Sequence, residues 1–505
     1  MKYNRSAGIL LHPTSLPGPD GIGDIGPEAY RWVNFIKSTG ATLWQVLPLG
    51  PTGYGDSPYQ CFSAFAGNPY LVNPSLLMDE DLLNGADLAD RPKFADSYVD
   101  FGSVINWKVT ILQRAYHNFI QLKPAKLVIE YETFKHEEAE WLDDFALFMA
   151  IKESYGGASW EKWSDGLRKR YPESLAEFQV KHADQIDSHK FRQFLFFRQW
   201  LTLKKYANEN GVTIIGDIPI FVSQDSSDAW ANPELFFFDK DLKPTVVAGV
   251  PPDYFSKTGQ LWGNPLYNWK IHKKTGYAWW LKRIKATLRF FDIIRLDHFR
   301  GFAGYWEVPA GNLTAEIGRW VPGPGVPFFQ AIKDELGDLP IIAEDLGEIT
   351  PDVFELRDKF ELPGMKICQF AFGGDPEEPF LPHNYPVNCV AYSGTHDNDT
   401  ALGWYKTAPE KERDFCRRYL GRDGKNISWD IIRVVWSSVA STVLAPLQDF
   451  LSLGGEARMN FPGHASGNWS WRVTTDKINT ELMQKIQEIN YLYNRSTLKY
   501  EEKAD

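Results

Sequence analysis

Eight short apolar runs, each closing in a polar or glycine-rich turn, punctuate this 505-residue chain and constrain its fold more than any other feature. They are AGILLHPTSL (7–16), TLWQVLPLG (42–50), GVTIIGDIPIF (211–221), DIIRLDHF (292–299), PIIAEDLG (340–347), MKICQFAF (365–372), CVAYSGTHDND (389–399) and ARMNFPG (457–463). Runs of this length, rich in β-branched residues, read as strands covered on both faces. Helical patterns alternate with them. After the first run, Pro27 suits a helix start, and Ala29, Trp32, Val33 and Ile36 form an i, i+3, i+4, i+7 stripe ending at Gly40. After the fifth, Thr350 suits an N-cap, with Val353, Leu356 and Phe360 on one face. The stretch KINTELMQKIQEINYLYNRS reads as a closing helix. Strand–helix alternation predicts a parallel sheet, and eight units predict an α/β chain folded as a single (β/α)8 TIM barrel over residues 1–505. Such barrels take about 250 residues and exceed 400 only with insertions. The excess falls at 51–210, mostly helical in pattern, after the second strand, and at 222–291, loop-rich, after the third.

In such a barrel the active site lies at the C-terminal ends of the strands. Polar groups follow the apolar runs there: Asp217 after the third, Arg295 and Asp297 on the fourth, Glu344 and Asp345 after the fifth, His396 and Asp397 after the seventh. Carboxylates on adjacent strands start from backbones about 4.8 Å apart, compatible with a retaining glycosidase, whereas an inverting enzyme needs room for a water. Arg295, two residues from Asp297, points to the same strand face and favours an ionised Asp. A carboxyl in a drier, more anionic setting has its pKa raised and can donate a proton. The pair His396-Asp397 is also a possible metal-ligand pair, but no H-x-x-E-H or similar spacing accompanies it.

Lys and Arg number 54 against 65 Asp and Glu, a net charge of −11, and no basic cluster tracks a phosphate backbone. Nucleic acid and anionic membranes are therefore not expected partners. Cys61, Cys368, Cys389 and Cys416 form no C-x-x-C pair, which fits a reducing compartment. The opening MKYNRSAGILLHPTSLPG carries too short an apolar run for a secretory leader, so a cytoplasmic protein is expected; a processed organelle import leaves the same pattern. Aromatic residues make up 15% of the chain. Most belong to the core, but Tyr54 and Tyr59 in GYGDSPYQ, and Tyr254, Phe255 and Trp262 in PDYFSKTGQLW, lie in glycine- and proline-rich loops. Flat rings suit the apolar faces of sugars, and Asp, Asn, Gln and His suit their hydroxyls. Residues 253–263 read as an aromatic lid containing Tyr254 and Phe255.

GILLHPTSLPG, GPTGYGDSPYQCFSAFAGNPYL, GDIPIFV, PPDYFSKTGQLWGNPLY, RLDHFRGF, AEDLG, GTHDNDT, ARMNFPG and GNWSWR occur in this order. Together they resemble the 4-alpha-glucanotransferases (amylomaltases, disproportionating enzymes) of glycoside hydrolase family 77, in the α-amylase clan. The resemblance implies that Asp297 is the nucleophile, Glu344 the general acid/base and Asp397 the transition-state stabiliser. Arg295 and His396 match supporting residues of the subsite holding the transferred sugar; Tyr59, Asp217, Gln260, Trp262 and Asn460 match substrate contacts. It also implies a barrel without a separate C-terminal β-sandwich, no cofactor, and maltooligosaccharides and α-1,4-glucans as substrates; no metal, and a monomer or weak homo-oligomer, are expected besides. Rival expectations are a hydrolase or branching enzyme of the same clan and an inactive sugar-binding protein; the last is expected to have lost a carboxylate, and all three are present.

Overall fold

The computed structural model describes residues 5–252, 256–347, 349–464 and 466–498. Twelve strands occur among these residues: β1 (Ser6–Leu10), β2 (Leu43–Gln45), β3 (Thr213–Ile218), β4 (Val246–Val250), β5 (Gln260–Pro265), β6 (Ile293–Leu296), β7 (Gly304–Pro309), β8 (Arg319–Pro322), β9 (Ile341–Ala343), β10 (Gly364–Ile367), β11 (Cys389–Tyr392) and β12 (Thr442–Pro446). Eight are parallel in the order β10-β11-β12-β1-β2-β3-β6-β9. The two ends of this sheet meet where Ala343 N donates to Pro363 O at 2.9 Å and Met365 N donates to Asp345 Oδ1 at 2.7 Å. The result is the expected (β/α)8 barrel. Its interior is filled by Leu43, Ile215, Ile293, Ile342, Met365, Ile367, Val390, Tyr392 and Leu444, a packed core and not a pore.

One of the eight expected strands is wrong. The eighth is Thr442–Pro446 (TVLAP), buried throughout, and ARMNFPG (457–463) is irregular backbone beyond it. The physical reason is legible in the residues: TVLAP supplies β-branched and apolar groups with no charge to bury, whereas 457–463 carries Arg458, Asn460 and a Pro-Gly turn.

The helix after β1 spans Pro27–Ser38 and buries Ala29, Trp32, Val33 and Ile36. Gly40, at φ 73°, supplies the left-handed residue that ends it. Thr350 does precede the helix Pro351–Lys359, but its hydroxyl accepts from Arg300 Nη1 at 2.9 Å and caps no backbone N–H. Val353 and Leu356 are buried in that helix, while Phe360 lies past its end. The closing helix, Thr480–Leu492, is capped by Asn479, which accepts from Leu482 N at 3.0 Å.

Between β2 and β3 lie the helices Phe101–Leu122, Ala125–Glu137, Ala139–Ser154 and Ala183–Glu209. The last is the barrel's own helix, because Trp200 packs on Trp44 of β2 and its Nε1 donates to Phe290 O at 3.0 Å. Between β3 and β6 the chain enters a second, antiparallel sheet of order β5-β4-β7-β8, which stands beside the barrel mouth. Close packing leaves little slack under the site: a Cβ on Gly216 of β3 would lie 2.0 Å from the ring of Phe291. Among the described residues no helix is long and apolar enough to cross a membrane, and no group of three or more His, Cys, Asp or Glu is placed to hold a metal.

Candidate active site

Strand register sets the site. Asp217 of β3 pairs with Arg295 of β6, and Leu296 of β6 pairs with Ala343 of β9. The residues following that last pair, Asp297 and Glu344, therefore leave the barrel side by side. Each extends the ladder by one rung: Asp297 N donates to Ile218 O and Glu344 N to Leu296 O, both at 3.0 Å. The chain then turns through His298, whose left-handed φ of 49° is unusual for a non-glycine residue and aims its N–H at Glu344 Oε2, 2.6 Å away. Leu346 N donates to Glu344 Oε1 at 3.1 Å.

Arg295 answers the question of how so much charge is tolerated at the end of a buried strand. It is 3% exposed, and its Nη1 lies 2.5 Å from Asp217 Oδ2 and 3.0 Å from Asp297 Oδ1. Burial works against its charge, but Asp217 and Asp297 outweigh that and raise its pKa. Tyr59 OH donates to Asp217 Oδ2 at 2.8 Å and lies 2.9 Å from His396 Nε2. A hydroxyl has one proton, so His396 must carry its own on Nε2 and donate to the Tyr59 oxygen. The rings of Tyr59 and His396 stack at 5.3 Å, with Trp469 against both. Burial lowers the pKa of His396 and takes that of nearby His12 to about 3, so both imidazoles are neutral at pH 7.

Asp397 enters from the loop after β11. Its Oδ1 accepts from Asn460 Nδ2 at 2.6 Å and its Oδ2 lies 3.3 Å from His396 Nε2. The carboxyls of Asp297 and Glu344 both have raised pKa values, first because they are buried and then because each repels neighbouring anions. Asp297 rises to about 7 against the opposing pull of Arg295, with Asp217 and Asp397 adding to burial. Glu344 rises well above its ordinary value, with Asp297 and Asp345 adding to burial. Arg295 does favour the ionised Asp297, as expected, but burial and the neighbouring anions outweigh it, and Asp217 claims the shorter contact with the same nitrogen. What separates the two carboxyls is their contacts: Asp297 meets the Arg295 guanidinium, which favours its ionised form, whereas Glu344 meets only backbone N–H groups.

Asp345 does not join the cluster. It turns outward, where Arg357 Nη1 lies 2.5 Å from Oδ2 and Met365 N donates to Oδ1, closing the barrel. Trp262, on β5, meets His298 edge-to-face at 4.8 Å, and Gln260 Oε1 accepts from its indole at 3.2 Å. Tyr254 and Phe255 lie outside the described residues.

A family model described as 4-alpha-glucanotransferase matches residues 11–478. The chain is 49% identical to the 4-alpha-glucanotransferase of Thermus thermophilus, with 95% of this chain and 97% of that protein covered. It is 48% identical to that of Synechocystis, covering 98% and 99%. The chain belongs to the 4-alpha-glucanotransferase family. Its fold superposes on the amylomaltase from Streptococcus agalactiae in complex with acarbose with a TM-score of 0.95, at 40% identity, over 98% of this chain and 100% of that one. Membership in the 4-alpha-glucanotransferase family makes the protein an enzyme of the glycoside hydrolase type.

For a member of the 4-alpha-glucanotransferase family, the sequence reading overlooked two groups at the mouth. Trp469 backs Tyr59 and His396 from the GNWSWR motif, and its burial at 5% exposure is invisible in an aromatic-rich chain. Arg458 donates from Nη2 to the backbone oxygen of Asp397 at 2.6 Å. It was hidden by reading ARMNFPG as a strand, although the Pro-Gly pair that follows marks a turn.

Proposed function

We propose that this enzyme transfers an α-1,4-glucan segment between sugars by retaining double displacement, with Asp297, Glu344 and Asp397 as its catalytic groups. The observation that carries the reading is the side-by-side exit of Asp297 and Glu344 from β6 and β9, with Arg295 on the first and backbone N–H groups on the second. In the first step an Asp297 oxygen bonds to the anomeric carbon as the bond to the leaving O4 breaks, and Glu344 gives its proton to that oxygen. In the second, Glu344 takes the proton of an acceptor 4-hydroxyl, whose oxygen attacks the same carbon and releases the Asp297 carboxylate. Asp397, held by Asn460 and His396, accepts hydrogen bonds from hydroxyls of the sugar at the reacting centre. Tyr59, Asp217 and Arg295 form the floor of that subsite, and Gln260 and Trp262 flank the side from which the acceptor comes. The relative's acarbose complex supports an α-glucan as ligand. Residues 253–263 serve as the lid, and Phe255→Ala shifts the ratio of transfer to hydrolysis; an unchanged ratio removes the lid from the mechanism. The enzyme works in the cytoplasm, a reading supported by the four free cysteines.

The test uses maltotriose alone. Transfer breaks one glycosidic bond and makes another, so glucose and a ladder of longer oligosaccharides appear while total reducing ends stay nearly constant. Reducing ends that rise with each turnover identify a hydrolase, new α-1,6 signals by NMR a branching enzyme, and untouched maltotriose a binding protein. Any of these three results overturns the proposal.

A further inference from the structure

Asp397 has a positional problem that Asp297 and Glu344 lack. Those two leave the ends of barrel strands, whereas Asp397 sits on a loop with its side chain 45% exposed, so packing alone does not fix it. Arg458 supplies what is missing. Its Nη2 donates to the backbone oxygen of Asp397 at 2.6 Å, and its Nε donates to the backbone oxygen of Asn460 at 2.7 Å. Asn460 in turn donates from Nδ2 to Asp397 Oδ1 at 2.6 Å and from its backbone N to His396 O at 3.1 Å. The guanidinium lies 4.4 Å from the centre of the Phe461 ring, and Phe461 N is bonded to Asn468 Oδ1 at 2.9 Å. One planar group thus ties the 393–399 loop to the 458–468 loop at the two residues whose side chains must meet. From this geometry we infer that Arg458 is a positioning residue for the reaction: it holds Asp397 and Asn460 in the one arrangement that grips the sugar as its bonds change. The inference rests on the catalytic assignment of Asp397 proposed above. A lysine at 458 cannot reproduce it, since two donors in a rigid fork serve two carbonyls and an ammonium on a flexible stem does not hold both.

The test is a double-mutant cycle between Arg458→Met and Asp397→Asn, with Arg458→Lys as the conservative variant. Because misplacing a catalytic group by about 1 Å costs about 100-fold, Arg458→Met is expected to lower kcat on maltotriose roughly 10- to 100-fold with KM changed less than about 3-fold. In the Asp397→Asn background the same substitution is expected to cost less than about 3-fold, since a positioned group already disabled has nothing further to lose. A merely structural role predicts equal losses in both backgrounds, and that result overturns the inference. So does a rise in KM at unchanged kcat, or full rescue by Arg458→Lys. Arg458→Lys keeps the charge and the stem, so it carries the cycle if Arg458→Met fails to fold. Turnover to either sugar or water supplies the rate, so failure of the transferase reading leaves this test intact and separately readable.

Discussion

Two arginines are buried at opposite ends of the barrel, and they are used in opposite ways. Arg495, 2% exposed, lies at the N-terminal end and gives all its donors to backbone oxygens: those of Trp436, Ser6, Ser441, Ser438 and Ala440 at 2.9–3.4 Å. Arg295, 3% exposed, lies at the C-terminal mouth and bonds carboxylates. Carbonyl dipoles saturate a cation without titrating, so the base of the barrel gains a fixed brace. Carboxylates hold a cation but remain able to gain a proton or attack a carbon, so the mouth gains chemistry and loses rigidity. Burial takes the Arg495 pKa down to about 9, with the neighbouring Arg5 assisting, whereas Asp217 and Asp297 raise that of Arg295. The protein thus keeps its uncompensated cation where nothing reacts.

The largest effect is expected at the mouth. Glu344→Gln should lose at least about 1,000-fold in kcat on maltooligosaccharides, by removal of the proton donor on top of a disturbed site. With a glycosyl fluoride donor, whose leaving group needs no proton, formation of the glycosyl enzyme should recover; equal damage with both donors refutes the acid/base role. Arg495→Met is the converse experiment. It removes five hydrogen bonds to backbone oxygens, and although Arg5 still reaches Trp436 O and Ser438 O and Ser6 N still reaches Ser441 O, it should cost about 3–5 kcal/mol of stability at about 1 kcal/mol per bond, read by urea unfolding, while kcat/KM of the folded fraction stays within about 2-fold. A large loss of kcat/KM without loss of stability would erase the contrast between the two ends. Arg295→Met sharpens it from the other side. The free enzyme's kcat/KM should rise with pH as Asp297 ionises, near pH 7, and removing the guanidinium should push this limb higher and cut activity at pH 7 roughly 10- to 100-fold. An unmoved limb would show that Arg295 does not act on the Asp297 proton.

What the sequence disclosed follows the same division. Seven of the eight barrel strands and the row of polar groups at their ends were legible, because apolar runs and the charges that interrupt them are local signals. That Asp345 stays out of the cluster was not legible, because its partner Arg357 lies on the helix that follows β9 and nothing local separates an outward carboxylate from the inward one beside it. The last strand was misplaced because TVLAP is short and borders other apolar stretches, while ARMNFPG ends in a Pro-Gly turn like the strand ends before it. The upward push on Asp297 was missed for a related reason: its Arg was visible two residues away, but Asp217, which competes for that Arg, comes from another strand 80 residues earlier.

The smallest prediction concerns the stability that the mouth forgoes. Asp297 holds a proton more tightly folded than unfolded, because burial and the nearby anions raise its pKa from 3.8 to about 7. Well below its unfolded pKa of 3.8, at about pH 3 and lower, the carboxyl is protonated in both states and has no effect on the balance between them. As pH rises from there towards 7 the unfolded chain releases this proton and the folded one retains it, so stability falls; above 7 the loss is complete. Asn in its place carries no such cost and resembles the protonated acid in shape. Asp297→Asn should therefore be more stable than the wild type by about 1–2 kcal/mol at pH 8, a figure kept below the full shift because the side chain retains 27% of its surface towards the cleft. The gain should shrink to nothing by about pH 3. Thermal unfolding of the two proteins across that range measures it directly. An equal gain at both ends would assign the effect to packing, and no gain at pH 8 would mean that Arg295 fully compensates the Asp297 charge, unlike the uncompensated Arg495 at the other end.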